Sequence, residues 1–162
     1  MRYIVLATAG LLILVSCKKD KYTTAPQIEY KSITSSFASN NPNPLQSPIL
    51  TLTITDKEGD LGFSDGVDTS YVYIKNLKIP PFKTDSFKFP ASLSAAPKKD
   101  FKADVEIALR GDGSPGSGVL ASSVGRPRPF TDTLYFEVYV KDFAGNKSNV
   151  IKTGDPLYYV SP

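Results

Sequence analysis

The sequence predicts an all-β fold, a single antiparallel β-sandwich of about seven strands, on three observations. Several stretches alternate apolar and polar residues with a period of two, as strands with one buried face do. Turn-forming residues separate these stretches, with 13 prolines and 11 glycines spread along 162 residues. No stretch carries the 3.6-residue apolar repeat of a long helix.

In chain order, 28–37 reads as a first, edge strand whose alternation breaks near Ser32, and the Asn- and Pro-rich 38–48 is a loop. Segment 49–56 places Leu50, Leu52 and Ile54 inward and Thr51, Thr53 and Thr55 outward. An acidic loop follows at 56–62, with glycines where a sharp bend needs them. Segment 71–79 is a strand with Val72 and Ile74 opposite Tyr71 and Tyr73. Prolines break 80–97, which leaves room for a short strand at 87–89. Segment 101–109 alternates again, and 110–129 is a long Gly-, Ser- and Pro-rich loop. The most regular alternation is 131–141, read as one long strand. Leu134, Phe136, Val138 and Val140 share one face, and Thr133, Tyr135, Glu137, Tyr139 and Lys141 the other. A turn rich in Asp, Gly and Asn follows; 150–153 returns as the last strand, and 157–160 adds an edge. Six or seven short strands between turn signals are the pattern of an immunoglobulin-like or fibronectin-like sandwich.

The amino terminus has a different build. Arg2 precedes an apolar run from Ile4 to Val15 that is too short for a typical membrane span and fits a secretory signal. Leu14-Val15-Ser16-Cys17 resembles the lipobox of bacterial lipoproteins, which implies cleavage before Cys17 and lipidation of its thiol. Cys17 is the only cysteine, so no internal disulfide framework is expected. Three regions result: a signal peptide at 1–16, the lipidated cysteine and a polar tether at 17–27, and one sandwich at 28–162. The tether reaches about 35 Å at most from the lipid. Its opening, Cys17-Lys18-Lys19-Asp20, resembles lipoproteins of the Bacteroidetes group and implies an outer-membrane protein, on the periplasmic or the cell-surface face.

Composition narrows the function. The formal charge is +3, and loss of 1–16 removes only Arg2, so the balance names no polyanionic partner and nucleic acid is not expected. With no histidine, the usual general base and the commonest transition-metal ligand are missing, which excludes a Ser-His-Asp hydrolase and a zinc enzyme. The expectation is a non-catalytic binding or structural module of the cell envelope. The alternative is an accessory glycan-binding lipoprotein of a polysaccharide-uptake system.

Two stretches sharpen the fold. Asp56-Lys57-Glu58-Gly59-Asp60-Leu61-Gly62 and Val140-Lys141-Asp142-Phe143-Ala144-Gly145-Asn146-Lys147-Ser148-Asn149 resemble paired loop segments of immunoglobulin-like and cadherin-like domains in bacterial surface proteins. In such a fold both loops lie at one end, so Asp56, Glu58, Asp60, Asp142 and Asn146 can converge. Hard oxygen ligands of this kind suit calcium. The competing expectation is that Asp56, Asp142 and Asn146 close turns through hydrogen bonds to the backbone. A second candidate is the outward tyrosine set, Tyr71, Tyr73, Tyr135 and Tyr139, on adjacent strands. These rings either form a binding surface for a glycan or protein partner or pair with one another across the strands. Arg110-Gly111-Asp112 matches a short integrin-binding tripeptide, a pattern that arises freely by chance, and Arg126-Pro127-Arg128-Pro129 reads as a stiff solvated lead into the strand at 131.

Overall fold

The computed structural model describes residues 21–39, 47–62, 70–78, 84–89, 99–109, 119–120 and 127–161. The signal peptide, Cys17, the start of the tether, Arg110-Gly111-Asp112 and most of the loop 110–129 lie outside the described residues. Among those described, the fold is all-β, with ten strands where about seven were expected. They are β1 (Gln27–Thr34), β2 (Phe37–Ser39), β3 (Ile49–Asp56), β4 (Tyr71–Asn76), β5 (Thr84–Lys88), β6 (Phe101–Ala108), β7 (Phe130–Leu134), β8 (Phe136–Lys141), β9 (Ile151–Lys152) and β10 (Leu157–Ser161). None of the described residues forms a helix long and apolar enough to cross a membrane.

Three ladders organise these strands in the orders β1-β3-β6, β2-β10-β7 and β5-β4-β8-β9. All pairings are antiparallel except the parallel contact of β2 with β10. The extra strands come from breaks in expected ones. The first strand shifts register between Tyr30 and Ser32, where the sequence alternation falters, and resumes as β2 after Ser35 at φ 63°. The long strand expected at 131–141 is interrupted at Tyr135: β7 pairs with β10, whereas β8 pairs with β4 and β9. At that break the Tyr135 carbonyl accepts from Leu77 N–H (3.0 Å), and the Thr153 hydroxyl accepts from Phe136 N–H (3.1 Å). The backbone polar groups freed by the interruption thus find other partners. The segment expected as an edge at 157–160 is corrected: β10 lies between β2 and β7, its alternate residues Leu157 and Tyr159 buried.

The apolar faces of these ladders meet in one buried cluster. Ile28, Leu50, Leu52, Ile54, Phe101, Val105 and Ile107 from β1-β3-β6 pack with Val72, Ile74, Leu134, Phe136, Val138, Val140 and Leu157 from the other two. The expected inward sets of 49–56, 101–109 and 131–141 are therefore the core-facing sets, an arrangement consistent with a β-sandwich. Asn149 ties the two sides together. Its side chain donates to the Ile28 carbonyl (2.9 Å) and accepts from Ile28 N–H (2.8 Å), much as a neighbouring strand would.

Candidate metal centre

The site begins with strand parity. On β3 the inward row Leu50, Leu52, Ile54 has Asp56 as its next member, and this carboxylate is fully buried. On β8 the inward row Phe136, Val138, Val140 continues to Asp142 just past the strand, only 4% exposed. The two strands belong to different ladders, so the chain ends two facing core rows in acids at one end of the molecule.

Local turns fix both groups. Gly59, at φ 65°, lets the chain reverse after β3 so that its N–H donates to Asp56 Oδ2 at 2.6 Å. In the turn after β8, Gly145 takes φ 85°, and Asn146 donates its backbone N–H to Asp142 Oδ1 (2.7 Å) and its side-chain amide to Oδ2 (2.9 Å). Asp60 stitches the two loops. Its carbonyl accepts from Phe143 N–H at 3.0 Å and its Oδ2 from Ala144 N–H at 3.3 Å. The turn-closing role anticipated for Asp56, Asp142 and Asn146 is therefore present.

Turn closure leaves charge over. Asp56, Asp60 and Asp142 each present a carboxylate oxygen within 4.8 Å of the other two. Asp56 Oδ1 and Asp60 Oδ1 are buried and receive no hydrogen bond. A buried, unpartnered carboxylate oxygen beside like charges is costly. Burial, and then the neighbouring Asp60 charge, push the Asp56 carboxyl up to about 6 against the opposing pull of the Gly59 N–H. A cation relieves both the desolvation and the repulsion. The spacing fits one: two ligands of a calcium ion stand up to about 5 Å apart, twice its bond length of about 2.3–2.6 Å. The donor set is oxygen only, which suits a hard divalent cation.

Of the five expected ligands, three converge. Glu58 stands apart, its side chain 41% exposed, 3.9 Å from Lys57 and accepting from the Thr24 hydroxyl at 3.2 Å. Asn146 aims its amide nitrogen at Asp142 and so orients that ligand.

The tyrosines lie on the opposite surface of β4 and β8 from the core. Tyr73 and Tyr139 are direct cross-strand partners and stack with centroids 4.7 Å apart and planes 8° from parallel. Tyr71 meets Tyr73 at 6.1 Å. Tyr135 sits apart, under the Lys152 ammonium at 4.7 Å. Cross-strand pairing, one of the two expectations for this set, thus accounts for Tyr73 and Tyr139.

Sequence reasoning missed the lysines over these rings and the bracing role of Asn149 and Ser148, whose hydroxyl accepts from Val140 N–H at 2.9 Å. Parity was the overlooked signal for the acids, since Asp56 and Asp142 both continue an inward i, i+2 row. No protein-family model matches the chain, and comparisons with curated proteins and with solved structures give no match either.

Proposed function

We propose that this chain is a lipid-anchored, non-catalytic binding or structural module of the outer membrane, an immunoglobulin-like sandwich whose loop end is clamped by calcium. The observation that carries the clamp is the pair of buried, unpartnered oxygens on Asp56 and Asp60 beside Asp142. Strand order supports the finer fold. With β7–β8 and β9–β10 each counted as one strand, β1-β3-β6 and β5-β4-β8-β9 match the A-B-E and C-F-G adjacencies of that family. The loops after β3 and β8 then are its B–C and F–G loops, which share an end. Cys17 and its lipobox-like context support the anchor, and the absence of histidine supports a non-catalytic role.

Isothermal titration of calcium into the full chain tests the clamp. Saturable heat that disappears in Asp60→Asn supports it, and no heat at millimolar calcium sinks it. Metabolic labelling with a palmitate analogue tests the anchor, with label expected on the parent and lost in Cys17→Ser. The alternative, an accessory glycan-binding lipoprotein, is favoured by one observation: the stacked Tyr73–Tyr139 pair at the centre of an outward sheet face.

A further inference from the structure

Residues paired directly across antiparallel strands share a face, so the ladder β5-β4-β8-β9 can be read row by row on its outward side. One row runs Lys88, Tyr71, Lys141, with Lys147 bridged to Lys141. The next runs Ser86, Tyr73, Tyr139, and the third Thr84, Lys75, Glu137, Lys152. Among the described residues, five lysines thus share a face with one acid, Glu137, which pairs with Lys75 at 3.5 Å. Among the described residues of this face the local excess is four positive charges, against a formal charge of +3 for the whole chain.

The tyrosines organise these charges. Lys147 Nζ lies 4.2 Å from the Tyr139 centroid, Lys152 Nζ 4.7 Å from Tyr135 and Lys141 Nζ 5.8 Å from Tyr73. Each ring attracts the ammonium group and limits the rotamers of a long, otherwise free side chain. Ammonium groups held in place before binding lose less entropy when a ligand engages them.

We propose that this face binds an acidic polysaccharide, with the lysines Lys141, Lys147 and Lys152 pairing with its anionic groups and the tyrosines holding the lysines in register. The inference rests on the binding-module reading; Lys141 and Lys147 flank the turn that carries Asp142, so glycan binding is read with the cation site empty. Charge complementarity selects an anionic partner. The rings are occupied by each other and by ammonium groups, which leaves little platform for the base stacking that single-stranded nucleic acid uses. Of the exposed large hydrophobics among the described residues, Phe37 and Val150, only Val150 borders this ladder, so a single aliphatic side chain is offered to a lipid surface, against five lysines. Rows about 7 Å apart, two residues along a strand, suit an extended and hydrated chain of charged sugars.

The test titrates the detergent-solubilised full chain with polygalacturonate and with chondroitin sulfate at low salt in EDTA, with dextran as the neutral control. Single-stranded DNA and phosphatidylglycerol vesicles serve as competing polyanions. Expected are binding of at least one acidic glycan, none of dextran, and weaker binding of DNA and vesicles. Lys141→Glu/Lys147→Glu/Lys152→Glu lowers glycan affinity roughly tenfold or more with the melting temperature retained. If the triple variant does not fold, Lys147→Glu and Lys152→Glu are read singly. Tyr139→Leu removes no charge yet weakens binding several-fold, which bulk electrostatics alone would not produce. No binding of either acidic glycan, unchanged affinity in the lysine variants, unchanged affinity in Tyr139→Leu, or tighter binding of DNA or vesicles overturns the proposal. Because EDTA empties the cation site, loss of the calcium heat and loss of glycan binding remain separate results.

Discussion

Asp56 concentrates the physics of this protein in one side chain. An acid at the inward position after Ile54 is desolvated like the leucines before it, and the backbone N–H groups of Gly59 and Asp60 offset that in part, leaving the rest to a proton or a cation. Asp56→Asn is therefore expected to have two opposite effects. It weakens or abolishes the calcium heat, because it removes one of the three negative charges that attract a divalent cation. In EDTA it raises the melting temperature, because the amide can donate to the unpartnered Asp60 oxygen. Calorimetry and thermal melts of one variant check both.

The raised Asp56 carboxyl also sets a pH dependence. Its ordinary value of 3.8 describes the unfolded chain, and about 6 describes the folded one. Between those values the native state binds more protons, so metal-free stability falls as pH rises through that window. Melts in EDTA should show a higher melting temperature at about pH 5 than at about pH 7.5, with the Asp56 contribution absent from Asp56→Asn. A metal-free melting temperature that rises with pH, by an increment Asp56→Asn removes, would contradict this.

At the scale of elements, the long strand at 131–141 was legible as a strand because its alternation is unbroken, and every inward residue expected from Leu134 to Val140 is in the core. Its interruption at Tyr135 was not legible. Pairing changes there because β10 meets β7 while β9 meets β8, and the partner chain carries extra residues between Lys152 and Leu157. Alternation records which face is buried and says nothing about which neighbour supplies the hydrogen bonds. The Asn149 brace is a second case. One amide satisfies both polar groups of Ile28, 121 residues away in sequence. Asn149→Ala removes both partners of a part-buried N–H and carbonyl and is expected to cost about 0.5–1.5 kcal/mol per hydrogen bond. Denaturant melts should show the loss as a lower midpoint with an unchanged slope.

For the whole molecule, the single core and the cation site act together. Among the described residues Phe136 is the largest fully buried side chain, and Phe136→Ala is expected to cost about 3–5 kcal/mol. Against a total stability of about 5–15 kcal/mol, that brings the domain to the edge of unfolding in EDTA. Calcium at about 100 times its dissociation constant adds about 2.7 kcal/mol, or roughly 5–10 °C in melting temperature. Calcium should therefore restore part of the lost melting temperature in Phe136→Ala and none of it when Asp60→Asn is also present.

Period-two patterning and turn chemistry are local, which is why the all-β class, the inward rows and the two bending loops could be read directly from the order of residues. The same parity, carried one step further, reaches Asp56 and Asp142, a step the strand reading did not take. Folding alone decided that those rows end opposite each other, that Asp60 rather than Glu58 completes the group, and that two carboxylate oxygens remain without a donor. It also decided that Lys141, Lys147 and Lys152 stand over Tyr73, Tyr139 and Tyr135. These outcomes depend on ladder order and register across the chain, and a carboxylate's environment is set by what packs around it, not by its neighbours in sequence.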